Sequence, residues 1–186
     1  RDCLLSRGLG DVYKRQGDTT ASVINVALDT DKSALEGVTY MTSGNGQINM
    51  WLQNGASWNN EVHGSTEKDW KGNSLFNGSQ VTSFAGGATA ATAGNIYQKD
   101  SNALTIDNYS GNTNIFYAHT GNGENASNYA AGDTIIKSAA AGSAVSLITD
   151  STGIAMENDA SVANVLNALA GKLTYSTVSY THLRAH

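Results

Sequence analysis

The chain has 186 residues, a formal charge of −5, one cysteine, no proline and 20 glycines. A single cysteine leaves no disulfide staple, so the fold must rest on packing and hydrogen bonds. No apolar run approaches the roughly 20 residues of a membrane-spanning helix, and the acidic balance argues against a nucleic-acid or anionic-lipid partner.

In chain order, the first stretch is foreign to the rest. Asp11–Gln16 reads D-V-Y-K-R-Q, the translation of the end sequence GATGTGTATAAGAGACAG used in transposase tagging. Ser6–Gly10 reads as the adapter arm before it. Val178–His186, V-S-Y-T-H-L-R-A-H, is the translated reverse complement of the same arm. Residues 1–16 and 178–186 are therefore read as translated sequencing adapter and excluded from fold reasoning. The remaining domain, 17–177, loses Cys3 and every arginine. It keeps six lysines against fourteen acids (the sixteen of the chain minus Asp2 and Asp11), a net charge of 6 − 14 = −8. An acidic segment without arginine is a poor ligand for phosphate.

Strand signals then recur along the chain. Ala21–Leu28 is one. Gln47–Gln53 alternates cleanly, with Ile48, Met50 and Leu52 on one face, the period of two of a half-buried strand. Shorter candidates are Ser57–Val62, Gln80–Phe84, Asn95–Gln98, Ala103–Asn108, Asn114–Ala118, Asp133–Ser138 and Ala144–Thr149. Between them lie Ser43–Gly46, Asn77–Ser79, Ser110–Asn112 and Gly121–Asn128, whose Gly and Asn tolerate positive φ. One helix is predicted over Ala160–Leu169. Val162, Val165, Leu166 and Leu169 sit at helical spacing, with Asn158 or Asp159 to cap its start and Gly171 to end it. The pattern implies an all-β fold with one short helix at about 160–170. No strict repeat period is visible. Strand-then-small-residue runs such as A-L-T-I-D-N-Y-S-G nevertheless suit stacked coils of roughly 20–25 residues. The alternative is a β-sandwich, in which Leu104–Asn108 pairs antiparallel with Ile115–Ala118.

A family resemblance rests on L-T-I-D-N-Y-S-G-N-T-N-I-F-Y-A-H (Leu104–His119), G-D-T-I-I-K-S-A-A-A-G-S (Gly132–Ser143) and S-V-A-N-V-L-N-A-L-A-G-K-L-T-Y-S (Ser161–Ser176). These stretches resemble autotransporter passenger regions. The resemblance implies a right-handed parallel β-helix (solenoid) that is exported and displayed at the cell surface or secreted. Its contact with the outer membrane would run only through a C-terminal barrel, and the sequence given contains no such barrel. It implies a structural or adhesive role without catalysis, with host-surface glycans or proteins as partners, no nucleic acid and no cofactor. The rival function is a lyase or glycosidase on the same scaffold.

Four groups of residues bear on chemistry. Asp29-Thr30-Asp31-Lys32-Ser33 starts like a calcium loop, but Ala34 replaces the required glycine and Tyr40 the bidentate acid, so it reads as a polar turn. Glu61, His63, Glu67 and Asp69 cluster in sequence, and E-V-H on a strand would put Glu61 and His63 on one face. Asp107, Asp133, Asp150 and Asp159 stand apart from one another, with no arginine to steady an anionic intermediate. No catalytic and no metal residue is assigned. Trp51, Trp58, Trp70 and Tyr117 are the candidate ligand-binding aromatics. They belong to a wider set with Tyr97, Tyr109 and Phe116, any of which can instead pack inside a coil stack.

Overall fold

The computed structural model describes residues 22–41, 45–66, 68–130 and 132–175. The adapter segments 1–16 and 178–186 and the candidate Glu67 lie outside the described residues.

Among the described residues, eleven strands and one α-helix follow in chain order, besides short 3-10 turns at Ala90–Thr92 and Ala126–Asn128: β1 Val23–Leu28, β2 Ala34–Glu36, β3 Gln47–Leu52, β4 Ser57–Asn60, β5 Ser79–Ala85, β6 Gly94–Gln98, β7 Leu104–Ser110, β8 Asn112–Tyr117, β9 Thr134–Ala139, β10 Ala144–Ile148, α1 Asp159–Ala170 and β11 Leu173–Tyr175. The fold is all-β apart from that helix. Odd-numbered strands form one sheet in the order β1-β3-β5-β7-β9-β11, here sheet A. Even-numbered strands form sheet B, β10-β8-β6-β4-β2. Every strand pairing in both sheets is parallel. The chain thus visits sheet A, then sheet B, then returns to sheet A one strand further on.

The antiparallel pairing of Leu104–Asn108 with Ile115–Ala118 does not form. β7 lies in sheet A between β5 and β9, and β8 lies in sheet B between β6 and β10. Gly111 alone joins them, at φ 80°, and a Cβ there would stand 2.7 Å from the Gly86 carbonyl oxygen. The corner is too tight for any other residue, and it redirects the chain across the molecule instead of folding it back.

Alternation decides what is inside. Met50 and Leu52 of β3, Val81 and Phe84 of β5, Leu104, Ile106 and Tyr109 of β7, Ile115 and Tyr117 of β8 and Ile136 of β9 meet in one core. Fully burying each large apolar side chain contributes roughly 1.5–3 kcal/mol. The expected inward face of β3, Ile48, Met50 and Leu52, is buried.

Partners across one sheet step are 24 residues apart for Asn25 and Asn49, 38 for Asn60 and Gln98, and 19 for Asn95 and Asn114. The step therefore ranges well beyond the expected 20–25 residues. Long loops leave the stack between strands, and the sequence has no fixed period for that reason.

Sheet A carries a shared irregularity. β5 pairs with β7, and β7 with β9, through Val81, Ile106 and Ile136 and again through Ser83, Asn108 and Ser138. Thr82, Asp107 and Lys137 between them stay out of the ladder. β5 and β7 consequently hold two non-buried residues between successive buried ones. This is a kink shared in register by the adjacent strands, with no residue inserted in any of them. The Thr82 hydroxyl accepts the Ile48 amide at 3.0 Å, which the interrupted ladder cannot. Lys137 pairs with Asp107 at 2.8 Å along the same row.

The helix matches its sequence signals closely. Asn158 caps it, accepting from the Ser161 amide at 3.0 Å, and Gly171 ends it. Its buried residues are Ser161, Val165, Ala168 and Leu169, while Val162 and Leu166 sit at the margin. The apolar stripe is narrower than the predicted face, and Ala168 and Leu169 join the core.

Candidate functional site

The four candidate aromatics do not converge. Trp58 on β4 is fully buried, and its indole N–H donates to the Gly37 carbonyl at 2.9 Å. Tyr117 on β8 is 1% exposed. Both belong to the core, because Trp58 shares its strand face with Asn60, and Tyr117 with Ile115 and Thr113, all of which point inward. Neither offers a face to a ligand, so these two candidate ligand-binding aromatics are instead the interior packing that the sequence left open. Trp70 is 89% exposed on the loop before β5, with the Lys71 ammonium 4.9 Å from its ring centre. Trp51 on β3 is 40% exposed on the outer face of sheet A.

The wider aromatic set divides in the same way. Tyr109 stacks on Phe84 inside, with ring centres 5.8 Å apart. Tyr97 and Phe116 are register partners on the outside of sheet B and stack at 4.7 Å.

Trp51 walls an open groove of about 400 Å³ on sheet A. Ser83 and Ala85 of β5, Asn108 and Ser110 of β7, then Ser138 and Ala140 line it in matching positions. Phe84 and Tyr109 lie between these pairs with their side chains buried, so their main chain makes the floor. The register rows explain the arrangement. Asn49, Ser83, Asn108 and Ser138 follow one another across the sheet, and Trp51, Ala85 and Ser110 form the adjacent row. The large indole therefore faces a shelf of small residues.

Most of the acidic candidates are held by nearby polar groups, and they do not gather. β4 ends at Asn60, so Glu61 and His63 are not on a strand and do not share a strand face as predicted. Asp69 accepts from the amides of Lys71 and Asn73 and from the Asn73 side chain. Those bonds, the Asn73 side chain foremost, hold its carboxyl below the usual carboxylate range. Asp29 accepts from the Asn54 amide at 2.6 Å, fixing a turn. Asp150 accepts from the Thr152 amide, which lowers its pKa. Asp107 pairs with Lys137, and Asp133 with Lys172 at 3.6 Å. Among the described residues no three His, Cys, Asp or Glu side chains gather to hold a metal ion.

A second polar constellation escapes the sequence entirely, and it is internal. Asn60, Gln98 and Tyr117 occupy matching register positions at the ends of β4, β6 and β8. Ser79 and Thr134 stand at the starts of β5 and β9, where the chain re-enters sheet A. Asn60 Nδ2 donates to Gln98 Oε1 at 2.7 Å, and Gln98 Nε2 donates to Thr134 Oγ1 at 3.4 Å. The hydroxyls of Tyr117 and Thr134 are 2.8 Å apart. Asn60 Oδ1 accepts from Ser79 and, at 3.1 Å, from Asn102. Burial pushes the Tyr117 phenol up to about 12. A polar seam of this kind holds adjacent strands in register, since a slip would strand buried donors and acceptors. Strand parity was the available signal: Trp58 inward requires Asn60 inward.

No protein-family model, curated protein or solved structure matches the chain. The arrangement itself then defines what the molecule can do. It offers two parallel sheets with an open groove of uncharged lining, and acids that are dispersed rather than gathered.

Proposed function

We propose that Gly17–Thr177 is a segment of a right-handed parallel β-helix, a structural and adhesive rod of the autotransporter-passenger kind that performs no chemistry of its own. One observation carries this reading. Successive strands alternate without exception between two all-parallel sheets, β1 to β11. A chain that circles in this way makes each coil touch only its neighbours, and such stacks lengthen into rods without needing a new core.

The side chains support a scaffold role. Asn25 and Asn49, and Asn95 and Asn114, hydrogen-bond in ladders at 2.9 and 3.0 Å along the outside. The seam described above ties the interior. The loops between strands, such as Gly121–Asn128, leave the stack and supply variable surface for contacts. Display at the cell surface or secretion follows from the passenger reading, with surface glycans or proteins as the partners.

Recovery of the unbroken gene tests the proposal. A leader upstream and an outer-membrane barrel downstream are expected. A cytosolic enzyme domain joined to either side would refute it.

A further inference from the structure

We infer that the groove on sheet A is a binding site for a neutral oligosaccharide lying along the stack, with Trp51 as the surface on which a sugar ring packs. The inference rests on the adhesive reading above and supplies its contact site.

The shape comes from the shared kink. Thr82, Asp107 and Lys137 leave the ladder at the same level of three adjacent strands, and the sheet surface just beyond them is the groove. Strand neighbours are about 4.8 Å apart, so the shelf from β3 to β9 runs roughly 14 Å across the strands. That length suits a short extended oligomer.

The chemistry of the lining selects the ligand. Trp51 is a large side chain left 40% exposed, and its register neighbours Ala85 and Ser110 are too small to cover it. An exposed indole beside an open shelf presents a flat apolar face with a polar N–H, which matches the C–H face and hydroxyl rim of a sugar. The hydroxyls of Ser83 and Ser138 make no hydrogen bond among the described residues, so they are available to donate and accept. Asn108 Nδ2 donates to the Thr82 carbonyl at 3.2 Å, which fixes its amide beside the shelf.

The lining carries no charge. Its one titratable side chain, Tyr109, is buried, donates to the Ala144 carbonyl at 2.7 Å, and has its pKa raised by that burial. The nearest charged row, Asp107 with Lys137, is an ion pair at 2.8 Å. An ionic ligand would lose its hydration there without gaining a counter-charge. An uncharged sugar loses little and finds donors and acceptors at each strand.

The test is titration calorimetry and tryptophan fluorescence on the full chain. The probes are cellotetraose, maltotetraose and chitotetraose, with tetragalacturonate as the charged comparator. At least one neutral tetramer should bind. Trp51→Ala should weaken that binding tenfold or more, Trp51→Phe should weaken it less, and Trp70→Ala should leave it unchanged. Three outcomes would overturn the inference: no neutral tetramer binds, Trp51→Ala binds as the wild type does, or tetragalacturonate is preferred. A dimer in sedimentation that Trp51→Ala dissociates would also overturn it, by assigning the groove to a second copy. Circular dichroism of each variant separates the two readings. A folded, parallel-stacked chain that binds no tetramer refutes the groove site and leaves the rod standing.

Discussion

Asn59 and Asn60 are neighbours of identical chemistry on β4, and they face opposite ways. Asn60 is fully buried, whereas Asn59 lies on the outer face and donates to Glu36 at 3.4 Å. Asn60→Leu keeps the volume and removes the polar hub. Gln98 Oε1 then loses the donor at 2.7 Å, and the Ser79 hydroxyl loses its acceptor. Asn102 still reaches Ser79 Oγ at 3.2 Å, so that pair survives. Two stranded buried groups at about 1–3 kcal/mol each give a loss of roughly 2–6 kcal/mol. Asn59→Leu breaks one long exposed contact and should change stability by less than about 1 kcal/mol. The assay is urea unfolding followed by circular dichroism, comparing transition midpoints, because stacked coils need not unfold in two states. The double variant Asn60→Leu/Gln98→Leu should recover part of the loss, since replacing both partners removes the unpaired acceptor. Equal midpoints for Asn59→Leu and Asn60→Leu would refute the inward placement of β4 and the seam with it.

Two further outcomes follow from the packing and the buried phenols. Gly94→Ala would place its Cβ 2.5 Å from the Leu52 carbonyl oxygen, main chain that cannot step aside; a loss of about 1–3 kcal/mol or more is expected in the same urea assay, and unchanged stability would contradict the close approach of β6 to β3. Tyr117 titrates near 12 and Tyr109 is also raised, both chiefly by burial. The unfolded chain loses these protons near pH 10 and the folded chain does not, so their contribution is complete below pH 10 and is lost as pH rises from 10 toward 12, at about 1.4 kcal/mol per pH unit for each phenol. Phenolate absorbance should rise together with loss of circular dichroism. Ionisation of all the tyrosines at pH 10 in a folded chain would contradict the burial.

Much of the fold was legible because alternation survives in single strands. Ile48, Met50 and Leu52 announced β3, and Asn158 with Gly171 bounded α1. β2 and β11 were not legible. They hold three residues each and are strands only because a longer neighbour pairs with them, β2 with β4 and β11 with β9. Boundaries of β5 and β7 ran past the expected ends because the shared kink breaks strict alternation at Thr82–Ser83 and Asp107–Asn108.

The candidate site was legible only in part. Trp51 lay on the polar face of an alternating strand and does line the groove. Trp58 and Tyr117 were open to either reading, and parity with buried neighbours turns them inward. Gln98 is inside and Tyr97 outside, the reverse of what side-chain polarity suggests. Position on the strand outweighs it, since Gln98 finds Asn60 and Thr134 as partners. The groove residues Ser83, Asn108 and Ser138 are far apart in sequence, and only the register of three strands brings them into one row.

Cysteine pairs test the parallel stack most directly, in a chain whose single thiol is removed by Cys3→Ser. Thr105 and Ile135 are parallel register partners on the outside of sheet A. Neighbouring strands bring Cα atoms about 4.8 Å apart, within disulfide reach. Thr105→Cys with Ile135→Cys should oxidise readily to an intramolecular disulfide in the folded chain. Asp107→Cys with Phe116→Cys, which an antiparallel hairpin across Tyr109–Asn114 would place opposite each other, should remain reduced because β7 and β8 belong to different sheets. Fast oxidation of the second pair with none of the first would contradict the alternating parallel architecture on which the rod, the seam and the groove depend.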